Sequence, residues 1–423
     1  MKIDFPYKGI EGVEIPDANL LGIFEPKRPP VLSQNEDELI NEGLSHPIGL
    51  PPVEQIVRPG REIVIISDDN TRLTPVANIL PLLAERLQEG GASRGKITIL
   101  VASGTHRPMT DAEKLRKFGR QILEDFEILD HSSYDLKNLV SLGLTEDGTE
   151  VLVNRKAVEA DLLIGIGQIV PHGVAGFSGG GKIVQPGVCG EATTGWTHWL
   201  SVQYDESQIL GVRDNPVRTQ IDAIAQKVGL DLIINSVPTS DGRIAAVVVG
   251  DPVEAHRKGC QIATELFGVP LPKLADIVLT DSYPADSNLW QAAKGLYSAA
   301  TVVRQGGVVI LVTPCPEGVA PEYPDFLANG YLSPQQAWHR FKIGKIRTLT
   351  VAAHLARVGK LIRNKARTIL VSPGISPQEA ERLGLLYGQT AKDALQKAFS
   401  LLGSDARVAV LRCGGQILPL LAK

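Results

Sequence analysis

Cysteine is scarce: the chain of 423 residues holds four, Cys189, Cys260, Cys315 and Cys413, far apart and without a C-x-x-C pair. That spacing argues against a zinc ribbon, an iron–sulfur cluster or a disulfide framework, so any metal must be held some other way. No apolar run approaches the ~20 residues of a membrane span. The N-terminal MKIDFPYKG has no signal-peptide core, so the chain is expected to be cytoplasmic and free of membrane contact. A basic block and an interleaving of aromatic and basic residues are also missing, and the net charge is -4, which speaks against a nucleic-acid partner. The proline-rich N-terminal stretch is only weakly periodic and supports no element assignment.

What is present is an apolar content of 43%, enough for two or more cored domains in a soluble globular chain. Short runs rich in Val and Ile alternate with helical patterns, the signature of an open, mostly parallel α/β sheet. The runs REIVIIS (61–67), KITILVAS (96–103), DLLIGIGQIV (161–170) and GLDLIINSV (229–237) predict strands, with helices from Pro75, Asp111, Pro216 and Pro252. A second series begins near PLPKLADIVLTDS and runs through GGVVILVTP, ARTILVSPG and ARVAVLRCGG, with helices from Asp286 and over 377–402. The expected fold class is α/β in two domains, each with a mostly parallel sheet flanked by helices, and the active site in the interdomain cleft. The boundaries expected are 1–270 and 274–408, with 409–423 a segment that could return to the first domain.

GFSGGGKIVQPG (176–187) suggests a first function. Gly176 and the Gly181-Lys182 pair satisfy the phosphate-loop pattern G-x-x-x-x-G-K after a predicted strand. Such a loop needs Ser or Thr after its lysine for magnesium, and a helix to receive the phosphates. Here Ile183 follows Lys182, and Pro186-Gly187 cut any helix short. A nucleotide (ATP) binding protein using this loop is the competing expectation.

In open α/β sheets, ligands collect at the carboxyl ends of the strands. Three predicted strands end in polar tips, SDDNTR (67–72), SGTHRP (103–108) and PHGVAGFSGGGK (171–182), which bring Asp69, Arg72, His106, His172 and Lys182 to one edge. A loop histidine alone is more often a surface or hydrogen-bonded group than a catalyst, and the shared position is what raises the prediction. Two histidines on separate tips suit a reaction that removes and returns a proton on either face of a substrate. The Arg72 fork suits a carboxylate, with a salt bridge to Asp68 or Asp69 as the alternative. Lys294 lies one turn after Gln291 on the same helix face, where a solvated lysine is the plainer reading. His198, bracketed by Trp196 and Trp199, has no ligand-spaced partner beyond Glu191. A protein-built metal site is therefore not expected there, and a packed aromatic cluster is the plain alternative.

Taken in order, D-x-T-R at Asp69–Arg72, G-T-H-R-P at Gly104–Pro108, P-H-x-x-A-G-F-S-G-G-x-K at Pro171–Lys182, then His198, then Q-A-x-K at Gln291–Lys294 form one constellation. Over most of the chain it resembles the nickel-dependent lactate racemase family. The resemblance implies a nickel-pincer nucleotide, a pyridinium-3,5-bisthiocarboxylic acid mononucleotide that grips nickel through two sulfurs and a ring carbon and is covalently attached at Lys182. It further implies His198 as the protein ligand of nickel, and Asp69, Thr71, Ser178, Gly179, Gly180 and Gln291 as cofactor contacts. Arg72, Lys294, Val174 and Trp290 are implied to face the substrate.

The implied enzyme is an isomerase. His106 or His172 would remove the hydroxyl proton of a 2-hydroxy acid while the C2 hydride passes to the cofactor and returns on the opposite face, the other histidine supplying the proton. The expected activity is racemisation or epimerisation at C2 of lactate or a larger 2-hydroxy acid, with cofactor-maturation proteins as implied partners. A non-catalytic homologue that binds cofactor or a small acid is a further alternative, which retention of both histidines disfavours. Three departures from the family pattern stand out. Gly173-Val174 replace a typically bulky aromatic pair, predicting a roomier pocket that Trp290 partly re-walls; Gly181 stands where arginine is usual; and TLTVAAHLARVG from Thr348 lacks a tryptophan.

Overall fold

The computed structural model describes residues 1–27, 35–146 and 148–422. A strand near the N-terminus, β1 (Leu20–Phe24), belongs to the second of two large sheets. The first sheet comprises β2 (Ile63–Asp68), β3 (Ile97–Ala102), β4 (Glu127–Asp130), β5 (Leu162–Gln168), β6 (Leu232–Pro238) and β7 (Ile244–Gly250), in the order β7-β6-β5-β2-β3-β4. Its pairings are parallel except β6 with β7 at one edge. After it comes β8 (Gly268–Leu271).

The second sheet comprises β9 (Ala275–Asp281), β10 (Val303–Val312), β11 (Ala366–Val371), β12 (Leu386–Tyr387) and β13 (Val408–Leu411), joined by β1. It runs in the order β12-β11-β10-β9-β13-β1 and is parallel throughout. The last strand, β14 (Leu418–Leu421), pairs with β8.

The Val/Ile runs become strands because both faces of each sheet are covered. Ile63, Ile65, Ile97 and Ile99 point into one core of the first sheet while Val64, Ile66 and Leu100 point into the other. The second sheet divides the same way, with Val278, Val309 and Leu311 on one side and Ile277, Leu279 and Ile310 on the other. Each fully buried side chain of this kind contributes about 1.5–3 kcal/mol. Five helices frame the site: α1 (Glu191–Val202), α2 (Pro216–Val228) and α3 (Glu254–Phe267) from the first domain, α4 (Leu289–Val302) and α5 (Leu349–Lys360) from the second.

Several elements depart from the sequence expectation. Residues 1–24 fall in the expected first domain, yet β1 extends the second sheet beside β13. The helix expected over 377–402 is two, Pro377–Leu383 and Ala391–Leu402, because Gly384 takes a left-handed φ of 81° and ends the first. Helix α1 was not expected, since Thr193, Thr194 and Gly195 are poor helix formers. It forms by packing on α5: a Cβ on Gly195 would lie 2.8 Å from Leu349 Cβ, so only glycine lets the two helices approach this closely. Among the described residues no helix is long and apolar enough to cross a membrane, and Cys189, Cys260 and Cys315 form no disulfide.

Candidate active site

The carboxyl ends of β2, β3 and β5 meet the N-terminal half of α4. β2 stops at Asp68, and a turn closed by the Arg72 amide on the Asp69 carbonyl (3.2 Å) carries Asp69, Thr71 and Arg72. After β3, the His106 amide donates to the Ser103 carbonyl at 2.9 Å and turns the imidazole back over the sheet edge. β5 runs into a hairpin, Pro171–His172 against Gly176–Phe177, followed by one 3-10 turn, Gly180–Ile183, with Lys182 in it. No α-helix starts there, so the loop lacks the helix N-terminus a phosphate loop requires.

The glycine loop is shaped from behind. The Arg218 guanidinium on α2 donates to the carbonyls of Phe177 and Gly179, and His256 on α3 meets the Ser178 carbonyl at 2.9 Å. The Gly180 amide donates to Asn235 Oδ1 at 2.8 Å. Gly179, at φ 75°, sits so close to Asn235 and Ile169 that a Cβ would lie 2.6 Å from both.

One hydrogen-bonded chain then crosses from domain to domain. Lys294 Nζ donates to Gln291 Oε1 at 2.8 Å, Gln291 Nε2 stands 3.3 Å from His106 Nε2, and His106 Nδ1 lies 2.7 Å from Asp69 Oδ2. Asp69 Oδ1 in turn accepts from the Thr71 amide and hydroxyl at 3.1 and 2.5 Å, and the Arg72 guanidinium donates to Thr71 Oγ1 at 3.1 Å. Facing a carboxylate, His106 Nδ1 carries the hydrogen, which leaves Nε2 with a lone pair toward the cleft. His172 has the opposite tautomer. Its Nδ1 accepts from the amides of Val174 and Ala175 at 3.2 and 3.3 Å, so Nε2 holds the hydrogen in the neutral ring.

The electrostatics call for an anion. Arg72, Lys182 and Lys294 converge here, and among the described residues none is ion-paired with a carboxylate. Burial, reinforced by the charges of Arg72 and Arg218, brings the Lys182 amine down to about 7. Burial, then Arg72 and Lys182, lowers Lys294 well below its ordinary value, and burial with Lys182, Arg72 and Lys294 does the same to His172. Burial would raise Asp69, but the charge and hydrogen bond of His106 outweigh it and hold the carboxyl well below the carboxylate range. Burial likewise takes His198 down to about 4, against a 2.8 Å contact of its Nδ1 with the Thr194 carbonyl. His198 is thus a neutral imidazole with Nε2 uncommitted to that bond.

Two adjoining cavities share the wall formed by Arg72, His106, Gln168, His172, Trp290 and Lys294. One, termed inner, reaches Asp69, Val174, Gly179, Lys182 and His198; the other, termed outer, reaches Thr71, Glu317 and Gln416, and both are lined from the two domains. Ser178 and Gln291 also face both. Gly180 does not: it lies behind the wall, where a Cβ would sit 2.8 Å from the His256 ring.

Four further expectations need correction or refinement. Lys294 is not a solvated lysine. Arg72 bridges neither Asp68 nor Asp69: Asp68 pairs with Lys117 and Asp69 with His106, each at 2.7 Å. The room expected at Gly173 is filled, since a Cβ there would lie 2.3 Å from Tyr297 Cδ2. At Gly181 a Cβ would lie 2.8 Å from Ala225 Cβ on α2, the helix whose Arg218 holds the loop carbonyls. The aromatic cluster expected around His198 is real, with Trp196 and Trp199 packed on Trp338 at 5.9 and 5.1 Å, yet His198 itself faces the inner cavity.

Sequence reasoning missed Gln168, Tyr297, His354 and Arg218. Gln168 ends a predicted strand and Tyr297 lies one turn past Lys294, so both were within reach of the strand-end and helix-face rules. His354, stacked on Trp290 at 4.0 Å and 11°, and Arg218 gain their places only through packing across elements.

Comparison with known proteins agrees with this geometry. Residues 8–209 match the family model "Lactate racemase N-terminal domain" and residues 272–418 match "Lactate racemase C-terminal domain". The chain belongs to the lactate racemase family. The lactate racemase of Lactiplantibacillus plantarum is 32% identical over 422 residues, covering 97% of this chain and 98% of its own. That of Thermoanaerobacterium thermosaccharolyticum is 30% identical, with 98% of each chain covered. The solved lactate racemase apoprotein from the latter organism superimposes with a TM-score of 0.88 at 29% identity, over 99% of this chain and all (100%) of that one. A crystal structure from Thermotoga maritima, 23% identical with TM-score 0.72 over 91% of this chain and 98% of its own, shares the fold. Lactate racemases are isomerases, and the lactate racemase fold is that of two helix-flanked, largely parallel sheets.

Proposed function

We propose that the chain is a 2-hydroxy acid racemase or epimerase that works with a nickel-pincer nucleotide, using His106 and His172 as an acid/base pair. The observation that carries the proposal is that the Lys294–Gln291–His106–Asp69 chain lines one cavity together with His172, Arg72 and Lys182, and that among the described residues neither lysine nor Arg72 is ion-paired with a carboxylate. Arg72 and Lys294 would bind the substrate carboxylate, and the Lys294 amine, lowered chiefly by burial and then by its cationic neighbours, would regain its charge beside it. The His106 Nε2 lone pair takes the hydroxyl proton, and the Asp69 carboxylate steadies the imidazolium that results. On the opposite face the His172 Nε2–H donates to the substrate oxygen. In the reverse direction the two rings exchange duties, which requires His172 to leave the Val174 and Ala175 amides so that Nδ1 takes the hydrogen and Nε2 the lone pair. Substrate turning between them is kept from water by the domain interface.

The residues fit the cofactor the family resemblance implies. Lys182 offers a primary amine with no ion pair, and His198 a neutral nitrogen donor. Among the described residues no group of three His, Cys, Asp or Glu could hold a metal, so a cofactor that brings most of its own ligands suits the single imidazole. Asp69, Thr71, Ser178, Gly179 and Gln291 would flank it. When bound, it would supply the acceptor and donor for the C2 hydrogen. Protein made together with the cofactor pathway is expected to carry one nickel per chain and a mass increase on the peptide containing Lys182. Magnesium-dependent ATP binding abolished by Lys182→Ala would instead favour a phosphate loop.

A further inference from the structure

The outer cavity carries two buried primary amides that the proposed chemistry leaves unused. Gln168, the last residue of β5, and Gln416, in the turn between β13 and β14, are each 4% exposed and line that cavity. The Oε1 of each is buried with no hydrogen-bond partner among the described residues. An amide offers two donors and an acceptor, and leaving it unpaired in a protein wall costs stability. Both are therefore suited to a polar group that enters the cavity. The turn bearing Gln416 is held firmly: a Cβ on Gly414 or Gly415 would lie 2.0 or 2.5 Å from the carbonyls of Asp281 and Ser282, and the Gln416 backbone N–H donates to the Cys413 carbonyl at 2.8 Å.

The rest of the outer wall narrows the chemistry. Glu317 and Glu322 line it, so a second carboxylate on the ligand would meet like charge. The guanidinium of Arg107 is already engaged, bound at 2.8 Å by both oxygens of Glu113 and 3.6 Å from Glu317. An aryl group would find Trp290 stacked on His354 at 4.0 Å and packed on Tyr323 at 4.5 Å. Hydroxyl groups fit instead, because each can donate to an amide or carboxylate oxygen and accept from an amide N–H.

Resting on the racemase proposal, we infer that the substrate is a polyhydroxy 2-hydroxy acid of the aldonic type, whose chain hydroxyls are bound by Gln168 and Gln416. The test compares 2,3,4-trihydroxybutanoate with its deoxy analogue 2-hydroxybutanoate, and with malate and phenyllactate, on cofactor-loaded protein. C2 epimers are separated chromatographically. The trihydroxy acid is expected to show a kcat/KM at least about tenfold above each of the others, and Gln416→Leu to bring its ratio to 2-hydroxybutanoate toward one. Gln416→Met, of similar volume, replaces the leucine variant if that loses its cooperative melt.

Calorimetry on the apoprotein supplies a second arm, because the tail contacts come from this chain alone. There too the trihydroxy acid is expected to bind about tenfold tighter than 2-hydroxybutanoate, and Gln416→Leu to erase the difference. A preference for the deoxy, dicarboxylic or aryl acid, or a ratio unmoved by Gln416→Leu, overturns the inference. Turnover of no acid with the binding preference intact would instead overturn the racemase proposal and leave the polyhydroxy ligand standing.

Discussion

Asp69 and His106 share one hydrogen bond that sets both the acidity of the first and the tautomer of the second. Asp69→Asn would remove the charge that steadies a protonated ring, and its amide can donate to Nδ1, moving the imidazole hydrogen to Nε2. Turnover by the loaded enzyme is expected to fall by a factor of about 10²–10⁴ with circular dichroism unchanged. A loss under tenfold would mean that His106 needs no such orientation. Lys182 makes a second residue-scale prediction. Burial and its cationic neighbours bring its amine to about 7, so near neutral pH a large share of it is uncharged and nucleophilic. In the apoprotein an amine-acylating reagent should label Lys182, with Lys294, ahead of the lysines of ordinary acidity, Lys182 half-maximally near that pH, as read by peptide mass spectrometry. Labelling that rises only above the ordinary lysine range would contradict this.

At the scale of elements, the hairpin that presents His172 is built around the missing side chain at Gly173. Gly173→Ala would drive a methyl into the Tyr297 ring, and overpacking of this kind costs about 1–3 kcal/mol. The expected outcome is a lower urea midpoint for Gly173→Ala, recovered in part when Tyr297→Ala is added; additivity of the two changes would show that the contact is not shared. The same contrast explains what could be read from the amino acids alone. β2, β3 and β5 announced themselves because burial on both faces demands unbroken Val and Ile, and polar tips after them exposed Asp69, His106, His172 and Lys182. β1 is short and its register depends on β13, nearly four hundred residues away. α1 runs against local propensity and is made by the Gly195–Leu349 contact. Tyr297 and Arg218 shape the loop from other elements, which no local pattern records. The roomier pocket expected from Gly173 failed for the same reason: a ring from α4 occupies the space.

Across the whole molecule the two domains are tied at the site and away from it. Tyr323 Oη donates to the Thr105 carbonyl at 2.6 Å, Gln291 reaches His106, and β1 and β14 cross between the halves. Stability of the apoprotein should follow its buried imidazoles. Burial lowers His131 to about 4, His354 to about 3 and His256 well below its ordinary value. A folded value below the unfolded one means that the unfolded chain binds more protons as pH drops below about 6.5. Each ring then withdraws about 1.4 kcal/mol of stability per pH unit until its folded value is reached. His172 and His198 act in the same direction, and Asp281, raised to about 6 mainly by burial, opposes one of the five below that pH. The net sign is loss, so Tm by calorimetry is expected to fall between pH 7 and pH 5; a flat or rising Tm would contradict it.

The most direct measurement is chiral analysis of a single enantiomer of lactate and of each larger 2-hydroxy acid after incubation with cofactor-loaded protein. The wild type should convert at least one acid into its C2 antipode or epimer, and His106→Ala and His172→Ala should each lower that rate by a factor of about 10²–10⁴ with nickel and the Lys182 adduct retained. Every acid left unchanged by fully loaded wild type, or inversion undiminished in either histidine variant, would contradict a two-histidine racemase.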